Sequence, residues 1–169
     1  MPERTSHAPG TPSWTDVATP VPVASQQFYG ALFGWTLFSL DTGTPDMPYF
    51  MVMQREKPVA GMMLLSPEMA AGGMPPEWST YVTVADVEAS TAKVTELGGA
   101  VLSEPMDVMT AGRMSVVADP QGAEFCLWQA KDAIGAEIVN EPVSLCWTEL
   151  ITPDVDDAKR FYGGLLGWG

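Results

Sequence analysis

Histidine is nearly absent from this sequence, and its scarcity narrows the chemistry that the fold can perform. The only histidine is His7, in a leader rich in Pro, Gly, Ser and Thr that we expect to be disordered. A Ser-His or Cys-His nucleophile is therefore excluded. Phosphate binding lacks its usual signal, because Gly72 and Gly73 lie in a proline-rich segment and do not open a helix.

Basic residues and long apolar runs are also scarce. Eight Lys and Arg stand against 21 Asp and Glu, a net charge of -13, so nucleic acids and anionic membranes should repel the chain. No apolar run of about 18 residues occurs, and residues 1–4 do not lead into a secretory signal. We therefore expect a cytoplasmic protein with no nucleic-acid or membrane partner. Cys126 and Cys146 lack metal-type spacing and are expected to be reduced thiols.

An internal repeat is the strongest pattern that is present. The segment 14–35, WTDVATPVPVASQQFYGALFGW, returns at 147–168 as WTELITPDVDDAKRFYGGLLGW, with ten identities in 22 positions. Average composition would give roughly one or two identities. Each copy predicts a strand that Thr-Pro ends, followed by a helix with an apolar stripe and a glycine C-cap.

The order of strands and turns predicts two successive βαβββ units. After the first strand and helix, strands are expected at 35–40, 49–54 and 59–65, with a turn over 41–46 and a loop over 66–77. The second unit has a strand at 79–85, a helix that Asp86 caps, and strands at 100–103, 113–118 and 123–129. Each unit leaves one sheet face for the other to cover or extend.

These boundaries suggest one complete domain and the beginning of another. We expect a disordered leader at 1–11, a domain at 12–130 with units 12–66 and 78–130, a linker at 131–143, and a second, truncated domain from 144 to 169. The last segment lacks the strands that would bury its apolar side chains. These side chains are Phe161, Leu165, Leu166 and Trp168. We therefore expect a fragment of a longer protein with two similar domains.

Three segments together carry a family resemblance. They are FYGALFGW in the first helix, VADVEASTAKVTELGGAV in the middle and GRMSVVADPQGAEFCLWQ near the end. In this order they resemble the vicinal oxygen chelate (VOC) superfamily of glyoxalases and bleomycin-resistance proteins, and the tandem arrangement resembles actinobacterial glyoxalase-like proteins. The resemblance implies an α+β fold in which paired βαβββ units form a curved mixed sheet around a cavity.

The resemblance also implies where a divalent metal would lie, on His, Glu or Gln side chains from four strands. Carried over by position, these ligand sites fall on Trp14, on Gly61 or Met62, near Ser79 and on Cys126. Such residues are not the donors that a catalytic divalent ion prefers. We therefore predict no cofactor for this domain, and a divalent metal only if the second domain carries the ligands.

The candidate site residues lie on the expected cavity faces. Asp16, two residues after Trp14, is a candidate general base, with Tyr81 as its acid, or else it pairs with Arg113 or a backbone group. Trp14 is either a structural residue or a stacking surface for a ligand. The candidate ligand-binding residues are Trp14, Ser79, Thr83, Met62, Arg113, Glu124, Cys126 and Trp128.

The expected function is metal-independent binding of a small organic molecule, either to sequester a toxic compound, as bleomycin-resistance relatives do, or as an accessory protein. One alternative is a lyase or isomerase that uses Asp16 and Tyr81. Another is an enzyme of hydroxylase or dioxygenase type whose metal lies in the missing second domain, and a third is a structural role that only completes that domain. Units of this kind pair within or between chains, so a homodimer is also an expected arrangement.

Overall fold

The computed structural model describes residues 3–43 and 47–169, which form two compact units. Unit 1 contains residues up to Thr5, Trp14–Ser79 and Gly135–Trp147. Unit 2 contains Ser6–Ser13, Thr80–Ile134 and Thr148–Gly169. Each unit follows the βαβββ order, so the predicted α+β fold of paired units is confirmed.

Unit 1 consists of four strands and two helices. They are β1 (Pro12–Thr19), α1 (Pro22–Phe33), β2 (Thr36–Leu40), β3 (Tyr49–Gln54), β4 (Lys57–Leu64) and the short α2 (Pro67–Ala71). The strand order is β2-β3-β4-β1, with β1 and β4 parallel and the other pairs antiparallel. α1 begins at Pro22, where no backbone N–H is needed, and ends at Phe33, with Gly34 as its C-cap. The end of the predicted turn over 41–46 lies outside the described residues.

Unit 2 repeats this order. Its elements are β5 (Trp78–Thr83), α3 (Val87–Glu96), β6 (Ala100–Val108), β7 (Gly112–Ala118) and β8 (Glu124–Ala130), with strand order β5-β8-β7-β6. Asp86 caps α3 as predicted, because its Oδ1 accepts from the backbone N–H of Ala89. β6 is longer than the predicted strand 100–103, since shifts in its register with β7 carry the pairing past Pro105.

A fourth helix, α4 (Val155–Leu166), packs against the core of unit 2. Phe161 is only 1% exposed and contacts a cluster that includes Val94 and Phe125. The prediction that Phe161 lacks strands to bury it is therefore wrong, because the sheet of unit 2 supplies them. The strand predicted after Trp147 does not form, and Trp147 itself is 77% exposed.

The predicted leader and linker both make ordered contacts. In unit 1, the Arg4 N–H donates to Glu137 O at 2.7 Å, and Ile138 is fully buried against Val52 and Ala60. In unit 2, the Gly10 N–H donates to Thr83 O at 2.8 Å. Disorder was expected because this segment is rich in Pro, Gly, Ser and Thr, yet backbone groups of Arg4 and Gly10 find partners in the two units. Within residues 3–43 and 47–169, no helix is long and apolar enough to cross a membrane.

Candidate functional site

One face of the unit 1 sheet carries the main cluster of candidate residues. Alternation along β1 places Trp14 and Asp16 on the same face, as the sequence predicts. The strand register aligns Asp16 with Gly61 on β4, Gly61 with Met51 on β3, and Met51 with Phe38 on β2. We define the Asp16 face as Trp14, Asp16, Phe38, Tyr49, Met51 and Gly61.

The opposite face of the same sheet forms the core of unit 1. Leu37, Val52 and Ala60 are in register there and pack with Ile138. Met62 is fully buried. Because it directly follows Gly61 on β4, its side chain points to the face opposite Asp16. Met62 therefore lies outside the Asp16 face, and Gly61 is the residue of β4 that belongs to it.

A chain of hydrogen bonds connects three residues of the Asp16 face. The indole Nε1–H of Trp14 donates to the Tyr49 hydroxyl at 3.1 Å, and that hydroxyl donates to Asp16 Oδ2 at 3.0 Å. Asp16 is only 2% exposed. Burial of a carboxyl group is costly without hydrogen bonds, and Tyr49 supplies one of them.

Gly61 makes the contact between Tyr49 and Asp16 sterically feasible. Tyr49 lies on β3 and Asp16 on β1, so the phenol ring must cross the intervening strand β4. An ideal Cβ at Gly61 would lie 1.9 Å from the Tyr49 hydroxyl oxygen and 2.8 Å from Asp16 Cβ. Only glycine therefore leaves room for the ring at this point of the strand.

The Asp16 face combines a buried polar end with an accessible apolar surface. Phe38 is 60% exposed, and Met51 and Tyr49 are half-buried. The Trp14 Nε1–H, the Tyr49 hydroxyl and Asp16 Oδ2 form the polar end of this surface. A ligand with an apolar body and a polar group at one end fits this arrangement.

Several predicted site residues lie together on one face of the unit 2 sheet. Tyr81 is in register with Cys126, and Thr83 with Trp128. The rings of Tyr81 and Trp128 meet edge to face at 6.3 Å. Glu124, two residues before Cys126 on β8, shares this face by alternation and is exposed.

The hydrogen-bonding groups of this unit 2 face bind largely to neighbouring protein atoms. The Thr83 hydroxyl donates to Ser13 Oγ at 2.7 Å, and Trp128 Nε1–H donates to Ala133 O at 3.1 Å. Cys126 is buried and forms no disulfide. Ser79 contributes its backbone carbonyl, which accepts from the Thr15 hydroxyl within unit 1 at 2.7 Å. These bonds favour a structural role for Thr83, Trp128 and Ser79.

Arg113 lies on the helix-covered face of unit 2. Its guanidinium donates to Asp107 at 2.8 Å and also pairs with Glu88 of α3. Hydrogen bonds from Lys131 and Arg113 hold the pKa of Asp107 below its usual range. Arg113 is thus paired with Asp107 and Glu88 on this face, and its pairing with Asp16 stays a prediction.

The residues at the four expected ligand positions do not fit a divalent metal. Trp14 offers only an N–H, which is directed at Tyr49, and Gly61 has no side chain. Cys126 is a soft donor, and Ser79 makes its observed bond through the backbone. Among the residues that the structure describes, no group of three or more His, Cys, Asp or Glu could hold a metal ion.

Paired βαβββ units of this order define the VOC superfamily. Comparison with protein families gives the narrower assignment, because the family described as "Glyoxalase-like domain" matches residues 14–128. The chain therefore belongs to the glyoxalase-like family of this superfamily.

Two longer proteins are similar over nearly the whole chain. "Putative glyoxylase CFP32" of Mycobacterium bovis is 41% identical over 174 residues, which cover 99% of this chain and 64% of that protein. "Anthracycline biosynthesis protein DauV" of Streptomyces is 37% identical over 172 residues, covering 96% of this chain and 62% of that protein. The chain thus spans less than two thirds of either relative.

Solved structures resemble the chain in fold. A methylmalonyl-CoA epimerase in complex with methylmalonyl-CoA and NH4+ has a TM-score of 0.53 at 19% identity, covering 76% of this chain and 99% of that one. A mutant 4-hydroxymandelate synthase of Streptomyces coelicolor has a TM-score of 0.58 at 14% identity, covering 95% and 53%. At these identities the similarity is one of architecture alone.

Proposed function

We propose that this chain binds a small organic molecule on the Asp16 face without a metal ion. The observation that carries the proposal is the hydrogen-bonded chain from Trp14 through Tyr49 to Asp16. It fixes one polar group, the Tyr49 hydroxyl, at the buried end of an apolar surface. Few fixed polar groups in an apolar lining are typical of small-molecule sites.

The surface beside Tyr49 favours a flat apolar ligand. Phe38 offers an exposed ring, and Met51 offers an adaptable thioether that accommodates different shapes. The relative DauV is named for anthracycline biosynthesis, which supports a polycyclic aromatic compound as the ligand class. A polar group on such a compound would lie beside the hydrogen-bonded chain of Trp14, Tyr49 and Asp16.

The side chains at the expected ligand positions support metal independence. Trp14 and Gly61 replace donors that the family fold would use in the first unit, and neither can bind a divalent ion through its side chain. Binding without chemistry suits sequestration of a toxic compound, the role expected from bleomycin-resistance relatives. A cytoplasmic location remains a prediction.

A second candidate function, a lyase or isomerase, rests on the same contacts. The Tyr49 hydroxyl lies 3.0 Å from Asp16 Oδ2, so a proton can move between this acid and this base. In this reading Tyr49 takes the place expected for Tyr81, whose ring contacts Trp128 in unit 2. The name of CFP32 supports an enzyme of the glyoxylase kind, with further catalytic groups in the part of such relatives that this chain does not cover.

A binding experiment on the purified chain tests the proposal. Calorimetry with hydroxylated polycyclic quinones and with small dicarbonyls should show binding of the quinones to protein that elemental analysis finds free of metal. Tyr49→Phe removes the hydroxyl from the polar end of the site and should weaken that binding about 10-fold or more. Tyr29→Phe is the matched control, because its hydroxyl accepts an exposed bond from Trp78.

Two outcomes would contradict the proposal. A stoichiometric metal, whose removal with a chelator abolishes ligand binding, would rule out metal independence. Equal affinities for Tyr49→Phe and Tyr29→Phe would place the ligand away from the Asp16 face. Turnover of a dicarbonyl that Asp16→Asn abolishes would favour the enzyme instead.

A further inference from the structure

The two helices of the internal repeat have different environments. α1 and α4 occupy equivalent positions of the repeat, so Phe28 corresponds to Phe161 and Tyr29 to Tyr162. Phe161 is 1% exposed in the core of unit 2, whereas Phe28 is 60% exposed. Similar sequences that fold into the same element are expected to bury the same stripe, so the difference requires an explanation.

α4 shows how this stripe docks on a βαβββ unit. Phe161 lies over Gly99, where an added Cβ would come within 2.8 Å of its ring. Its neighbour Tyr162 is buried beside Phe125 and donates its hydroxyl to Asp119 at 3.1 Å. The docking surface therefore combines a glycine, an apolar cluster and a carboxylate that accepts from tyrosine.

α1 has the composition of a helix that is covered on its outer side. Its sequence, PVASQQFYGALF, contains no charged residue in a chain of net charge -13, and none of its residues is buried. Val23, Phe28 and Leu32 are all exposed. A row of exposed apolar side chains at helical spacing typically marks an interaction surface.

We propose that the exposed stripe of α1 docks on a further βαβββ unit of the unit 2 type, in the way that α4 docks on unit 2. A second copy of this chain does not offer that surface, because its own α4 covers it. The occupant is a further βαβββ unit outside the residues of this chain. Relatives such as CFP32 have room for it, since this chain spans 64% of their length.

The comparison with α4 specifies what the partner presents to α1. Opposite Phe28 it has a glycine or another small residue, as Gly99 lies opposite Phe161. Beside Tyr29 it has a carboxylate, as Asp119 accepts from Tyr162. The Tyr29 hydroxyl already accepts from Trp78 and keeps its proton for that carboxylate. α1 would thus dock on the sheet of the further unit, and α4 docks on the equivalent sheet of unit 2.

The full chain provides its own probe for this surface, because unit 2 is one such partner once α4 is loosened. Phe161→Ser should weaken the docking of α4, so that α1 of another molecule can occupy the uncovered surface. Sedimentation equilibrium should then show concentration-dependent association that is stronger than any association of the unaltered chain. Adding Phe28→Ser should weaken this association at least 10-fold.

Phe38→Ser is the matched control, because Phe38 is also 60% exposed but lies on the Asp16 face. The double variant F161S/F38S should associate as strongly as F161S alone. The proposal is overturned if F161S stays monomeric while folded, or if F28S and F38S reduce association equally. Should circular dichroism show F161S unfolded, Leu165→Ser replaces it, since Leu165 is only partly buried against the same cluster.

Discussion

The phenol of Tyr49 occupies the space that any side chain at residue 61 would need. An ideal Cβ at Gly61 would lie 1.9 Å from the hydroxyl oxygen of Tyr49, and this oxygen is the one that donates its proton to Asp16. Because Gly61 of β4 has no side chain, the Tyr49 hydroxyl of β3 can reach the Asp16 carboxyl group of β1. The candidate site depends on this contact as much as on any residue that could touch a ligand.

Gly61→Ala should therefore disrupt the site and destabilise the fold. The new methyl group must displace Tyr49, which costs about 1–3 kcal/mol for overpacking, and ligand binding should be lost with the Tyr49 contact. Urea unfolding measures the first effect and calorimetry the second. Gly30→Ala is the control, because its Cβ would meet only Trp35 O at 3.5 Å and should stabilise α1 by up to about 1 kcal/mol. Equal effects of the two substitutions would contradict the steric argument.

Asp16→Ala should destabilise unit 1 more than Asp16→Asn. Alanine removes the carboxylate that accepts from the half-buried Tyr49 hydroxyl, at a cost of about 1–3 kcal/mol, while the amide oxygen of asparagine can still accept. Urea unfolding of the two variants gives the comparison. The exposed Asp132 serves as control, since its change to alanine should alter stability by less than about 0.5 kcal/mol. Identical losses for the alanine and asparagine variants would show that the Tyr49 bond contributes nothing.

Stability in alkaline solution should depend on Tyr162. Burial, together with the carboxylate of Asp119, raises the pKa of Tyr162 well above its usual value near 10. The folded state therefore retains a proton that the unfolded chain loses, so its stabilising effect is complete below pH 10 and decreases as the pH rises further. The free energy of unfolding should fall by about 1.4 kcal/mol per pH unit from this group.

In the Tyr162→Phe variant, the free energy of unfolding should fall less steeply with alkaline pH, by about 1.4 kcal/mol per pH unit. Urea unfolding at a series of pH values from 8 upward would measure the slope for the unaltered chain and for the variant. A decline of equal slope in the Tyr162→Phe variant would show that Tyr162 ionises normally in the folded state.

The repeat-related residues Phe161 and Phe28 should differ sharply when each is truncated. Phe161→Ala removes a ring from the core of unit 2 and should cost about 3–5 kcal/mol. Phe28→Ala alters an exposed ring in this chain, and its effect should stay within about 0.5 kcal/mol. Thermal unfolding followed by circular dichroism compares them. A large loss for Phe28→Ala would mean that α1 is already covered in the isolated chain.

The sequence was sufficient for some parts of the candidate site. Alternation along one strand placed Trp14 with Asp16, because side-chain direction has a period of two and needs no knowledge of neighbouring strands. The same rule placed Cys126 and Trp128 together on β8. For Arg113 and Met62, the sequence did not show which face of the strand a helix or the core would cover. Both residues lie on the covered face.

Tyr49 was missed as a site residue for a different reason. It is 33 positions from Asp16 and meets it only because β3, β4 and β1 are neighbours in the sheet. The one local signal was Gly61, since a glycine inside a strand often marks a close approach of another group. That signal does not name the group that approaches.

The sequence by itself determined the internal repeat, the order of elements, the family and the low content of metal-binding side chains, because each depends on residue identity and local periodicity. The tertiary structure decided which partner Asp16 has, that Ile138 returns to the core of unit 1, and that α4 buries Phe161 while α1 leaves Phe28 exposed. These are contacts between residues distant in the chain, whose free energy depends on the positions of whole strands. Local propensities cannot specify them.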